Sequence, residues 1–163
     1  MQDPGDDPET AAYHEAGHAV MAHWLGGRVL SCSIEDEDER VHGTTSVDWR
    51  RVPTGARQQA VALAALAGPV AEARWRGDME LLESLAAWEA DWRLATSALA
   101  QIVAPAERMP MLRRLARQAA DKFDDPEAWE LLCRVADALS AHGTLDADGL
   151  ADAIRDGNDD HDE

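Results

Sequence analysis

Lysine is almost missing from this chain, with Lys122 alone against fourteen arginines, and cysteine is scarce, with only Cys32 and Cys133. The lysine deficit and the abundant alanine look like coding bias and carry no functional meaning. The two cysteines lie far apart and in no metal-ligand spacing, so neither a disulfide framework nor a thiolate metal site is expected. They read as small buried hydrophobes in a reducing cytoplasm. No stretch reaches the apolar length that a transmembrane helix needs. The opening Met-Gln-Asp-Pro-Gly-Asp-Asp is acidic and has no apolar region, which argues against a secretory signal. No internal repeat or low-complexity linker interrupts the 163 residues, so one domain with a sizeable core is expected.

Acid is plentiful instead, and the formal net charge is −17. Much of it lies in three places: Asp3, Asp6, Asp7 and Glu9; the run from Glu35 to Glu39; and Asp152, Asp156, Asp159, Asp160, Asp162 and Glu163. Such runs read as a solvated loop and two acidic tails, residues 1–8 and 156–163. Like-charge repulsion excludes nucleic acid and an anionic membrane as expected partners. A cationic polypeptide is compatible with this charge but is not implied by it.

The pattern richest in chemistry is His14-Glu15-Ala16-Gly17-His18. On a helix, residues four apart leave the same face one turn from each other. Two neutral imidazoles so placed can bind one zinc ion. Glu15 stands beside the first ligand, placed to take a proton from a metal-bound water. The helix itself is well signalled. Asp7-Pro8-Glu9 supplies an N-cap, a proline at the first position and an acid in the first turn, and Gly26-Gly27 supplies the stop. Ala11, His14, His18, Met21, Ala22 and Leu25 share one broad face. Two histidines in a core-directed stripe are costly to bury without partners. A metal ion is one such partner; hydrogen bonds between two core histidines are the other reading the residues leave open.

Downstream, residues 28–34 predict a strand, the acidic residues 35–40 a loop, and residues 41–49 the partner strand, a ribbon that must lie on the helices. Thr54 predicts the N-cap of a second helix reaching Trp75, kinked or divided at Gly68-Pro69. A third helix is expected from about Leu82 to Val103, and a fourth from Glu107 to Phe123. Asp125-Pro126-Glu127 repeats the start signal and opens a fifth, closing near Gly143, and a short sixth runs from near Asp146 to near Gly157. The fold class is therefore α+β, predominantly α-helical, with a small antiparallel β ribbon.

A hydrolytic zinc site takes three protein ligands and keeps one position for water. His23, His42, His142, Glu72 and Asp91 are the downstream candidates. His23 points about a quarter-turn off the ligand face, and position 24 is tryptophan. The residues by themselves leave the choice open.

Ala12-Tyr13-His14-Glu15-Ala16-Gly17-His18-Ala19 resembles the peptidase domain of the FtsH family, the ATP-dependent zinc proteases of bacteria and organelles. Leu66-Ala67-Gly68-Pro69-Val70-Ala71-Glu72-Ala73 is similar to the family's Leu-Gly-Gly-Arg-Ala-Ala-Glu-Glu helix. Glu89-Ala90-Asp91-Trp92-Arg93-Leu94-Ala95-Thr96 is similar to its Ser-Asn-Asp-Leu-x-x-Ala-Thr segment, and Trp129 to Ile154 resembles its closing helical pair. The resemblance runs from about Ala11 to Ile154. It implies a zincin-like metallopeptidase domain over residues 9–155, with a catalytic part (9–104) and C-terminal helices (105–155). It also implies His14, His18 and Asp91 as ligands of one zinc ion per chain, with Glu15 as general base. Glu72 would be an acceptor for a ligand imidazole N–H, direct ligation being the lesser option. Gly43, Thr44 and Thr45 would lie on a strand lining the cleft, whose edge can hold an extended peptide. For either threonine, strand propensity is explanation enough. Asp91 has its own plain alternative, an exposed helix charge paired with Arg93 or Arg74.

Departures from the family shape the expectation. There is no Gly-x-x-x-x-Gly-Lys-Ser/Thr motif in these residues, and no membrane anchor ahead of the domain is expected. Pro69, Ala90 and Trp92 replace the family's arginine, asparagine and leucine, and the segment between the third and fifth helices is shorter. Neither ATP-driven unfolding nor hexamer assembly carries over. The expected function is an ATP-independent zinc metalloendopeptidase in the cytoplasm, acting on flexible or unfolded polypeptide, without nucleic acid, membrane or ATP as partners. The rival is a catalytically silent metal-binding adaptor or regulatory module. Glu15, which only the chemistry requires, weighs against it.

Overall fold

The computed structural model describes residues 7–38, 40–80 and 88–155. Helix α1 (Pro8–Trp24) begins as its sequence predicts: the Asp7 carboxylate accepts the Glu9 and Thr10 backbone N–H groups, each at 3.3 Å, and Pro8 takes the first turn. Its inward stripe is broader than the one drawn from sequence. Besides Met21 and Ala22, residues Ala12, Tyr13, Ala16, Ala19 and Val20 are buried, so α1 is enclosed on nearly every side. Helices α2 (Thr54–Arg76) and α5 (Pro126–His142) pack on it, as do strands β1 (Arg28–Glu37) and β2 (Arg40–Asp48). Both helices bury many alanines, and Gly17 of α1 packs directly against Ala67 and Ala71 of α2. Alanine loses no rotamer freedom on burial and lets backbones approach closely. Helices α3 (Glu89–Leu99) and α4 (Pro105–Asp124) lie against α2, and α6 (Ala147–Arg155) covers α5 and β1. One core cluster runs from Ala12 to Ala153.

The molecule is mostly helical with one small antiparallel sheet, the α+β class its sequence implies. Several details differ from expectation. The ribbon gains a third strand, β3 (Thr144–Asp146), in the order β2-β1-β3, with Cys32 opposite Leu145 and Ser33 opposite Thr144. Three residues are too few to display a period of two. Most of the acidic stretch is strand rather than loop, with Glu35 opposite His42 and Asp36 opposite Val41. Ladder pairing needs only backbone groups, and the Glu35 and Asp36 side chains stay in solvent. Pro53, not Thr54, sits at the N-cap of α2, and no side chain caps that end. Helix α2 runs without interruption through Gly68-Pro69. Pro69 is fully buried, so packing offsets the missing N–H.

Asp125 caps α5 through the Ala128 N–H at 3.1 Å, as its Asp-Pro-Glu signal predicts. The expected start of the third helix near Leu82 lies outside the described residues, as do the end near Gly157 and most of both acidic tails; α3 itself runs from Glu89, with Trp88 at its N-cap, to Leu99, short of the expected Val103. Cys32 is buried, Cys133 is half-buried, and neither is in a disulfide. Among the described residues no helix is long and apolar enough to cross a membrane.

Candidate metal centre

The helical period places His14 and His18 one turn apart on α1, and both imidazoles turn towards Asp91 in the first turn of α3. His14 Nε2 lies 2.8 Å from Asp91 Oδ2 and 3.1 Å from His18 Nε2. His18 Nε2 lies 3.2 Å from Asp91 Oδ1. Donors held about 2.0–2.1 Å from a tetrahedral zinc ion stand about 3.3 Å apart. The two Nε2 atoms stand at about that separation, and each faces a different oxygen of the Asp91 carboxylate, 2.8 Å from His14 and 3.2 Å from His18. Among the described residues the three side chains form the one group of this kind, their ligand atoms all within 4.8 Å of one another.

The surroundings orient each imidazole. His18 Nδ1 is 2.8 Å from the carbonyl oxygen of Ala64, which can only accept, so Nδ1 carries a hydrogen and Nε2 is the nitrogen turned to the cluster. Room for that ring comes from Gly68: a Cβ there would sit 2.8 Å from His18 Cδ2 and closer still to two other ring atoms. On the far side of His14, Nδ1 lies 3.7 Å from Glu72 Oε2. Glu72 is buried, accepts Arg76 at 3.1 Å through Oε1, and accepts the Trp88 indole N–H through Oε2. Glu72 thus stands behind His14, outside the His14–His18–Asp91 group.

Electrostatics here favour a cation. Burial opposes charging His14, but the Asp91 hydrogen bond, Glu72 and the charges of Asp91 and Glu15 outweigh it and raise its pKa to about 10. His18 is raised as well, burial again opposing and the Asp91 charge chiefly prevailing. Burial pushes Asp91 up, yet the charge on His18 and hydrogen bonds from both imidazoles bring it below the ordinary carboxylate range. Glu72 is lowered against its own burial by His14, Trp88 and Arg76. Three acidic side chains surround two imidazoles, so the cluster attracts either protons or a divalent ion in their place.

Glu15 is buried beside the cluster, and its Oε2 accepts the Thr45 hydroxyl at 2.5 Å. Gly43 on β2 lets the strand approach this carboxylate, since a Cβ there would sit 2.6 Å from Glu15 Cδ. An open cavity of about 450 Å³ joins Glu15, His18 and Asp91 to Gly43 and Thr45 on one side. Its other walls include the apolar side chains of Val47, Trp49, Val61 and Leu94. Thr44 is exposed and does not line it. His23, His42 and His142 are exposed and lie outside the ligand group. The exposed-charge alternative for Asp91 fails on partners: Arg93 pairs with Glu89 at 2.7 Å, and Arg74 pairs with Asp124.

Several contributors escape sequence reasoning. The Ala64 carbonyl, the Trp88 indole and the Thr45–Glu15 bond leave no trace in a linear pattern. Gly68 does leave one, because glycine inside an alanine-rich helix costs about 1 kcal/mol and asks for a packing reason. Compared with known proteins, the chain matches no family model and no curated sequence. The fold and site define an α+β, mainly helical protein with a His-His-Asp cluster able to hold a metal ion.

Proposed function

We propose that this chain is a zincin-like, ATP-independent zinc metalloendopeptidase acting on flexible or unfolded polypeptide. The observation that carries the reading is the placement of Glu15: a buried carboxylate next to a His-His-Asp cluster, facing the same cavity, yet outside the ligand group. His14, His18 and Asp91 would hold one zinc ion. When bound, zinc makes a water molecule acidic near neutral pH and polarises a carbonyl group. Glu15 accepts a proton from the attacking water as the new carbon–oxygen bond forms. It delivers that proton to the amine nitrogen as the carbon–nitrogen bond breaks. Val47, Trp49, Val61 and Leu94 offer apolar contact to a substrate side chain, and the β2 edge offers backbone groups to an extended segment. A cytoplasmic location accompanies this reading, supported by the two unpaired cysteines.

The test is cleavage of unfolded casein by the zinc-loaded protein and by Glu15→Gln. Loss of a positioned general base should lower kcat by about 10² to 10⁴-fold with zinc content unchanged. Equal cleavage by both proteins would dismiss the peptidase assignment.

A further inference from the structure

Thr45 is tied to Glu15 by more than neighbourhood. It lies on β2 opposite Cys32, and its Oγ1 is 2.5 Å from Glu15 Oε2, the short range of a hydroxyl donating to a carboxylate. A carboxylate only accepts, so the Thr45 hydrogen is committed to Glu15. Cys32 Sγ lies 3.5 Å from the same Oγ1. With the threonine hydrogen already used, the Cys32 S–H is the donor in that contact. Burial keeps this thiol protonated, pushed up to about 12. The result is a directed chain, Cys32 S–H to Thr45 O–H to Glu15 Oε2, entering from the sheet. Among the described residues no hydrogen bond reaches Glu15 Oε1, which packs beside Gly43 at the cavity wall. One carboxylate oxygen is anchored and the other carries no hydrogen bond among the described residues.

We propose that Thr45 is the positioning residue of the general base, its hydroxyl locking the Glu15 carboxylate so that Oε1 faces the reacting centre. The inference rests on the peptidase reading for its kinetic consequence, though not for the bond itself. Threonine suits the task because branching at Cβ holds χ1 to few rotamers. Without the bond, a glutamate with three rotatable torsions spreads over conformers that do not reach substrate, and the rate falls with no change in metal content.

The experiment compares wild type with Thr45→Val, which keeps the shape and loses the hydroxyl, and Thr45→Ser, which keeps the hydroxyl and loses the methyl. Casein-peptide kinetics should show kcat down about 10 to 100-fold in Thr45→Val, with KM within about twofold and one zinc per chain retained. Thr45→Ser should recover most of the loss. A Thr45→Val enzyme with wild-type kcat, or a serine variant as impaired as the valine one, overturns the proposal. Proton NMR of the zinc-loaded wild type decides the bond independently of activity. The Thr45 hydroxyl proton, assigned through its γ-methyl, should exchange slowly and should lose that protection in Glu15→Ala. A hydroxyl exchanging as fast as that of the exposed Thr44 overturns the positioning role. If wild type cleaves nothing while the Thr45 hydroxyl is protected, the peptidase reading fails and the bond stands.

Discussion

Replacing Gly68 by alanine tests the metal centre through a residue that touches no metal. The new Cβ would lie 2.8 Å from His18 Cδ2, where ordinary carbon–carbon contact begins near ~3.5 Å. The ring must retreat by more than about 0.7 Å, because Nε2 and Cε1 would lie closer still, and metal–ligand distances tolerate only about ±0.2 Å. The imidazole cannot slide freely, because its Nδ1–H is held by the Ala64 carbonyl at 2.8 Å. Either that bond breaks or Nε2 leaves the ligand position. Losing an orienting partner of this kind weakens metal binding about 10 to 100-fold, equivalent to about 1.4 to 2.7 kcal/mol. Helix propensity acts oppositely, since alanine in a helix interior is favoured over glycine by about 1 kcal/mol. A weaker site therefore cannot be blamed on a weaker helix. Competition titration against a chromogenic chelator measures the zinc affinity, and thermal unfolding of the metal-free variant checks the fold. A Gly68→Ala protein that binds zinc within twofold of wild type would refute the reasoning.

Two further outcomes separate the roles of the carboxylates and of the protons. Asp91→Ala should abolish stoichiometric zinc by elemental analysis, whereas Glu72→Ala should retain zinc with about 10 to 100-fold weaker affinity. Loss in the Glu72 variant alone would reverse the assignment. In the metal-free protein, His14 is raised from 6.5 to about 10, so its contribution to stability is complete below pH 6.5 and lost as pH rises through about 10. Asp91, lowered from 3.8, contributes fully above pH 3.8 and loses that share as pH falls through its lower folded value. Urea unfolding without zinc should thus show stability declining between pH 7 and 10, by at most about 1.4 kcal/mol per pH unit for one proton. His14→Asn should flatten that decline, and an identical slope in both proteins would contradict the His14–Asp91 pairing.

Much of the secondary structure was legible because its signals are local. Asp7-Pro8-Glu9 and Asp125-Pro126-Glu127 announce two helix starts, and both aspartates cap their helices. What local signals could not show was an element whose existence depends on a partner. β3 is a strand only because β1 offers Ser31, Cys32 and Ser33 for pairing. The acidic arm of β1 likewise reads as loop until β2 is laid beside it. At Gly68-Pro69 the residues predict a kink or a division, yet α2 is not divided there. The glycine makes room for the His18 ring.

The sequence by itself determined that His14 and His18 share a helix face and that Glu15 stands between them, since 3.6 residues per turn is a property of the backbone alone. The pattern of resemblance also singled out Asp91. Tertiary structure alone decided that Asp91, 77 residues from His14, comes within 2.8 Å of it, that Ala64 orients His18, and that Thr45 grips Glu15. The reason is physical: a helix carries its period in its own hydrogen bonds, but the distance between two helices and a strand is set by how closely their side chains pack.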